Sequence, residues 1–393
     1  MKLFFYFLIS FTIICFDASA QDTWVAKATF GGGPRRACVS FSIGTKGYIG
    51  MGGGGVSFVN DFWEYDLTAN AWTQKANFPS NGRWYASGFS IGTKGYVFAG
   101  TDGAAKADLW EWDQATDTWK QKANFGGTAR CQAVSFSIAN KGYVGTGYDF
   151  TTSFTDFYEY DPTADTWTAK SPFGGTARYG AVGFSIGTKG YIGTGTDAAG
   201  KTKDFWEWDQ TSDAWTQKAD FGGTPRSGAV GFAFGGKGYI GTGVATAGNK
   251  KDFWEWDPAT NVWTARASFG GTARSYASGF TINSRGYIGI GTDGSPNAGD
   301  FWEYTSINDA VQEIAFDSYF NIYPNPSQGK FILKGKISVS GFSVLAVSGQ
   351  KISDTEINSS TLELDLGNQP TGIYFIRIRT EKGIATGKLI VQH

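Results

Sequence analysis

Histidine is almost absent from this chain: its 393 residues hold one, His393, at the very end. That removes imidazole acid/base catalysis, Ser-His-Asp triads, and zinc or copper sites built on imidazole. Cysteine is scarce too, with only Cys15, Cys38 and Cys131, too few for a disulfide framework. Neither sign of charge is in excess, since 34 Lys and Arg against 35 Asp and Glu leave a formal −1, and nothing electrostatic points to nucleic acid as a partner. Leu-rich helical stretches are few. What the chain does have is glycine, 56 residues, and aromatics at 17%, a composition of strands and tight turns that excludes an all-α fold.

The N-terminus reads as an address. Lys2 precedes the apolar run Leu3 to Phe16, and Ala18-Ser19-Ala20 is the small-x-small pattern that signal peptidase reads before Gln21. A signal peptide is expected over 1–20. The run falls short of the ~20 apolar residues of a spanning helix and Asp17 closes it, so an integral membrane protein is not expected. Cys38 and Cys131 are then the only mature cysteines, expected as free thiols.

A repeat of about 48 residues fills 21–305. Trp24, Trp72, Trp119, Trp167, Trp215 and Trp263 recur at steps of 48, 47, 48, 48 and 48. Arg35, Arg83, Arg130, Arg178, Arg226 and Arg274 open the units, a Gly-Tyr pair follows twelve positions later, and each unit then reads Asp-Phe-Trp-Glu-aromatic-Asp, with mild substitutions. In the fourth unit, strands are predicted over 179–186, 190–195, 204–208 and 214–218, with an Asx-type turn at Asp209 to Asp213. The small residues of the first strand belong where strands crowd, as around the axis of a propeller. The sixth unit lacks its late Trp, whereas Thr23 to Phe30 is a fourth strand with no preceding three. Pairing the two fragments closes a ring of six blades without a free edge.

This order of Arg, small-residue strand, Gly-Tyr, glycine pair, aromatic-acidic hexapeptide and late Trp resembles the kelch repeat. The expected fold is therefore all-β, a six-bladed kelch-type β-propeller. The resemblance covers about 21–305 and implies a binding platform more often than an enzyme. One departure is that the family's adjacent glycine doublet appears here as Gly-x-Gly, as in Gly193-Thr194-Gly195.

After a mixed linker over 306–318, a second pattern begins. Tyr323-Pro324-Asn325-Pro326, Gly329, the Gly349-Gln-Lys turn, the Gly372-Ile-Tyr374 strand and the terminal Lys388-Leu-Ile-Val resemble, in this order, the type A sorting domain of the type IX secretion system. The resemblance spans nearly all of 319–393. It implies export through the outer membrane of a Bacteroidota-type bacterium, with the secretion machinery as a partner and the protein secreted or held at the cell surface. By its alternation, as in 362–366 and 373–378, this region reads as a small immunoglobulin-like β-sandwich, with Gly335, Gly341, Gly349 and Gly372 at turns.

A residue repeated six times round a ring is expected to hold the ring. The six Arg and the six Glu (64, 111, 159, 207, 255 and 303) are accordingly read as structural, since catalytic carboxylates need distinct environments. No catalytic, cofactor-binding or metal-ligating residue is assigned. Function is expected where the repeats differ: in the loops between second and third strands and at the entries of the first strands, which share one face. Trp84, Tyr85, Gln132, Tyr179 and Tyr276 from the entries, with Tyr148, Phe150 and Phe154 from the third-unit loop, are the candidate ligand-binding residues, with blades two to four favoured. Aromatics beside polar groups suit a glycan or a protein ligand. Two other readings stand beside a binding module: a sugar epimerase or mutarotase similar to N-acetylneuraminate epimerase, and a purely structural surface component.

Overall fold

The computed structural model describes residues 22–393 apart from 55–56, 295–296, 307–314, 348–349 and 381–382. The expected signal peptide, most of the linker and Gly349 lie outside the described residues. The chain divides into two compact units, one up to Ile307 and one from Asn308.

The first unit is built of six four-stranded antiparallel sheets, one per repeat. In the fourth blade the strands are Val182–Ile186, Lys189–Gly193, Phe205–Asp209 and Ala214–Lys218, from the innermost outward. The first two are shorter than the sequence reading. The chain turns at Gly180 and again at Thr194, both with positive φ, and so leaves the sheet sooner at each end. The Asx turn forms as expected, with Asp209 accepting from the Thr211 and Ser212 amides at 2.8 and 3.1 Å.

Ring closure follows the predicted scheme. Thr23–Lys27 pairs antiparallel with Phe301–Thr305, Thr23 opposite Thr305, and supplies the outer strand of the sixth blade. Trp24 then does there what its equivalents do elsewhere. Its indole Nε1 donates to the carbonyl of Ala267 at the end of the fifth blade (2.9 Å), as Trp72 donates to Ala28 and Trp215 to Ser171.

Blades are held by aromatic clusters shared between neighbours. Between the third and fourth, Val134, Phe136, Tyr143 and Phe157 pack with Ile192 and Trp208. A fully buried aromatic side chain removes about 150–250 Å² from water, an upper bound of roughly 4–6 kcal/mol each. The glycine of the repeated Gly-Tyr pair makes this possible: a Cβ on Gly190 would lie 2.3 Å from the Phe136 ring of the preceding blade.

Each repeated Arg is buried and clamps its own blade. Arg178 reaches both oxygens of Asp204, at 2.6 and 2.7 Å, and the Thr194 carbonyl at 3.0 Å. Each repeated Glu accepts from the tyrosine of the Gly-Tyr pair, as Glu207 does from Tyr191 at 2.9 Å. Both sets of side chains are thus committed to the ring.

The second unit is one hydrogen-bonded, curled sheet of five strands. The layers of the expected sandwich come from long strands that bend, Lys330–Ala346 and Lys351–Asp365, around a core that includes Phe331, Leu333, Val344, Ile376 and Leu389. Gly335 and Gly341, expected at turns, instead lie within the first of these, whose register shifts between Lys334 and Gly341 bend it. Phe316, expected in the linker, opens a short helix, Phe316–Tyr319, and packs against this core.

Candidate functional site

The entry of each innermost strand is where the six blades meet most closely. Two residues after each repeated Arg stand Ala37, Tyr85, Gln132, Gly180, Gly228 and Tyr276, all with φ between +51° and +62°. The amide of each donates to the carbonyl of its counterpart in the preceding blade: Tyr85 to Ala37, Gln132 to Tyr85, Gly180 to Gln132, Gly228 to Gly180, Tyr276 to Gly228, and Ala37 back to Tyr276, at 2.8–3.1 Å. These six bonds close a belt around the axis. A second closed set runs from Gly52, Gly100, Gly147, Gly195, Gly243 and Gly291 to the repeated Arg carbonyl of the next blade.

The belt frames one mouth of the central channel. A cavity of about 130 Å³ lies beneath it, lined by Tyr85, Gln132, Tyr276 and the small residues of the inner strands. Below comes a second cavity of about 180 Å³ among Cys38, Ala86, Ala133, Ala181, Ala229, Ala277 and their neighbours. The poor strand formers singled out in the sequence line this channel.

Three large and three small belt residues break the sixfold symmetry. Tyr85 and Tyr276 meet edge to face at 5.1 Å although a whole blade separates them, because that blade contributes only Ala37. Gly228 admits Tyr276, whose ring would lie 2.8 Å from a Cβ there, and Gly180 admits the Gln132 amide in the same way. Beside them Tyr148 and Tyr179 stack at 4.2 Å.

Of the eight residues singled out, the mouth gathers Tyr85, Gln132, Tyr148, Tyr179 and Tyr276. Trp84 flanks them, packed on Phe58 (5.1 Å), and Phe150 stands half exposed at the rim, edge-on to Tyr148. Phe154 is engaged elsewhere, with the Arg130 guanidinium 4.3 Å above its ring. The cluster also extends past blades two to four, since Tyr276 comes from blade six. The entries and the loops after the second strands share one face, as expected, through bridges such as Trp84 with Thr101 and Cys131 with Tyr148.

Sequence reasoning passed over Arg36, the first-blade counterpart of Trp84 and Tyr179. Its guanidinium lies 5.7 Å above the Trp84 ring, and its charge acts on the phenols of Tyr85 and Tyr276. Its signal was a second Arg directly after the repeated one. Burial, and to a lesser degree Tyr276, pushes the Tyr85 phenol up to about 12, with Arg36 opposing. Burial likewise raises Tyr148 and Tyr276, so the phenols are neutral hydrogen-bonding groups at physiological pH. Among the described residues no group of three or more His, Cys, Asp and Glu could hold a metal ion.

In the second unit the motif residues knit its end to its beginning. Asn325 donates to the Lys388 carbonyl (2.7 Å) and accepts from the Ile390 amide (2.9 Å), and the Tyr374 hydroxyl donates to the Pro370 carbonyl (2.8 Å). Gly329, with φ +105°, lets the chain pass Gly367, which a Cβ would approach to 2.5 Å.

No curated protein matches the chain in sequence. Among solved structures, the one titled "Structure of YjhT" matches with a TM-score of 0.62 over 70% of this chain and 95% of that one, at 17% identity, a likeness of propeller fold alone. Among the described residues no helix is long and apolar enough to cross a membrane. Residues 321–392 match the secretion system C-terminal sorting domain. The chain thus carries the export signal of the type IX system and is a secreted or cell-surface protein.

Proposed function

We propose that this exported protein is a kelch-type propeller acting as a binding module, with a glycan or protein ligand docking across the mouth framed by the belt. The observation that carries this reading is the convergence of Tyr85, Gln132, Tyr148, Tyr179 and Tyr276, drawn from four blades, on one otherwise sixfold mouth. Rigid aromatic faces combined with hydroxyl and amide groups offer contact area at low entropic cost and fix orientation.

Size favours surface docking over enclosure. Sites that engulf a small molecule usually measure about 300–1,000 Å³, and the cavity under the mouth, at about 130 Å³, is well below that. Binding rather than turnover is favoured by the commitment of the repeated carboxylates to Arg and Tyr partners, as with Asp204 and Glu207. Release or retention of the protein at the surface leaves this reading unchanged.

The test is a glycan and peptide array screened with the mature full-length chain. For any ligand found, Tyr148→Ala or Tyr85→Ala should weaken binding by about 1–3 kcal/mol with little change in melting temperature. Undiminished binding by both, with loss on changing Thr188 or Lys189 at the turn on the opposite face, would refute the choice of mouth.

A further inference from the structure

The nine arginines of the propeller unit divide unevenly. Arg35, Arg83, Arg130, Arg178, Arg226, Arg266, Arg274 and Arg285 each hold a carboxylate. Arg36 holds none among the described residues, and its Nε, like those of Arg83 and Arg266, is buried without a hydrogen-bond partner. Two further buried polar atoms at the mouth share that condition, the Trp84 indole Nε1 and the Gln132 Oε1. Buried polar groups are normally satisfied, and three of the ten orphan side-chain atoms among the described residues lie round this one opening.

We propose that this mouth takes an anionic saccharide, its acid group on the Arg36 guanidinium and a sugar ring across the aromatic faces beside it. This rests on the mouth being the binding site and names the ligand class for it. The guanidinium sits over the Trp84 ring, its carbon 5.7 Å from the ring centroid, and its planar fork can take a carboxylate. The stacked Tyr148 and Tyr179 pair and Trp84 offer faces for the C–H side of a sugar ring, and the phenols and the Gln132 amide offer donors and acceptors for its hydroxyls.

Titration calorimetry on the mature full-length chain tests this with tetrasaccharides of galacturonate, mannuronate and glucuronate. Each is presented as the free acid and as the methyl ester, beside a sulfated galactan tetrasaccharide, the same galactan unsulfated, and tetra-aspartate. At least one free acid or the sulfated sugar should bind roughly tenfold or more tighter than its uncharged counterpart; preference for the free acid identifies a carboxylate as the group recognised, and preference for the sulfated sugar a sulfate. Arg36→Gln should erase that preference while leaving ester binding within about twofold, Arg36→Lys should keep part of it, and Tyr148→Ala should weaken acid and ester alike. Equal affinity for acid and ester overturns the role of Arg36 and spares the mouth. Tighter binding of tetra-aspartate overturns the saccharide. Binding unaffected by Tyr148→Ala overturns the site itself, and no binding of any charged probe overturns the ligand class.

Discussion

The Arg178 guanidinium donates to the carbonyl of Thr194 at 3.0 Å, and Thr194 is held at φ +58°, a conformation that β-branched residues avoid. The pairing recurs in every blade: Met51, Ala99, Thr146, Thr194, Thr242 and Ile290 all have positive φ, and each offers its carbonyl to the repeated Arg sixteen residues earlier. The repeated Arg therefore pins a backbone turn that the side chain at that turn disfavours. The turn places the following glycine amide against the next blade.

Removing one clamp should destabilise more than a surface ion pair would. Arg178→Ala strips a buried cation from Asp204 and frees the Thr194 turn, and a loss of about 3–5 kcal/mol is expected in denaturant unfolding. Thr194→Gly should cost little or raise stability by up to about 1 kcal/mol, because glycine accepts positive φ without strain. A large loss from the glycine variant would show that the turn is not strained.

Deleting Thr23 to Phe30 should lower the melting temperature of the whole ring. The deletion takes the outer strand of the sixth blade, the Trp24 bond to Ala267 and the buried Phe30. A truncated chain melting with the intact one would contradict closure by this strand.

Stability should fall off at both ends of the pH scale. Burial alone would raise the carboxyls of Asp108, Asp204, Asp252 and Asp300, but hydrogen bonds from their arginines and the arginine charge more than offset it, so all four lie below the ordinary range. Their stabilisation is complete above the unfolded value of about 4 and is lost as pH falls through the depressed folded values. Tyrosines behave in the opposite sense. Burial pushes Tyr65 and Tyr85 up to about 12, so they favour the fold fully below the unfolded value of about 10 and lose that contribution as pH rises beyond it. Melting temperatures flat between about pH 5 and 9 and falling on either side are expected; a maximum below pH 4 would contradict the Asp–Arg pairing.

Both cysteines among the described residues are free, Cys131 fully buried and Cys38 partly so. Burial pushes the Cys131 thiol up to about 12, and Cys38 is raised for the same reason. Thiol reagent should react slowly with the native mature protein and count two thiols once it is unfolded without reductant. A count of zero would indicate a bridge.

Much of the fold was legible because repetition amplifies weak signals. Six copies of Arg, Gly-Tyr and Trp fix a period that no single copy could, and the missing late Trp of the sixth copy located the closing strand. Less legible was the mouth. The stretch 179–186 reads as one strand, which conceals the positive φ at Gly180 and its five counterparts. Nothing in the spacing shows that Ala37 leaves room for Tyr85 to reach Tyr276. The Arg130 contact of Phe154 was likewise hidden, because an aromatic in a variable loop looks the same in sequence whether it stands free or covers an arginine. In the second unit, Gly335 and Gly341 carry ordinary turn signals, and only the pairing register reveals a bent strand.

The belt separates what holds the ring from what the ring displays. Its six bonds run between backbone amides and carbonyls, so the side chains at those positions take no part in closing it. Ala, Gln, Gly and Tyr already occupy equivalent places on the same frame. Such a frame works like a socket with interchangeable pins: exchanging Ala37, Gly180 or Gly228 for other residues that accept positive φ would redraw the opening while the circle of bonds stays closed. New preferences could thus arise on this scaffold one position at a time, each step tested by the ligand and not by the fold.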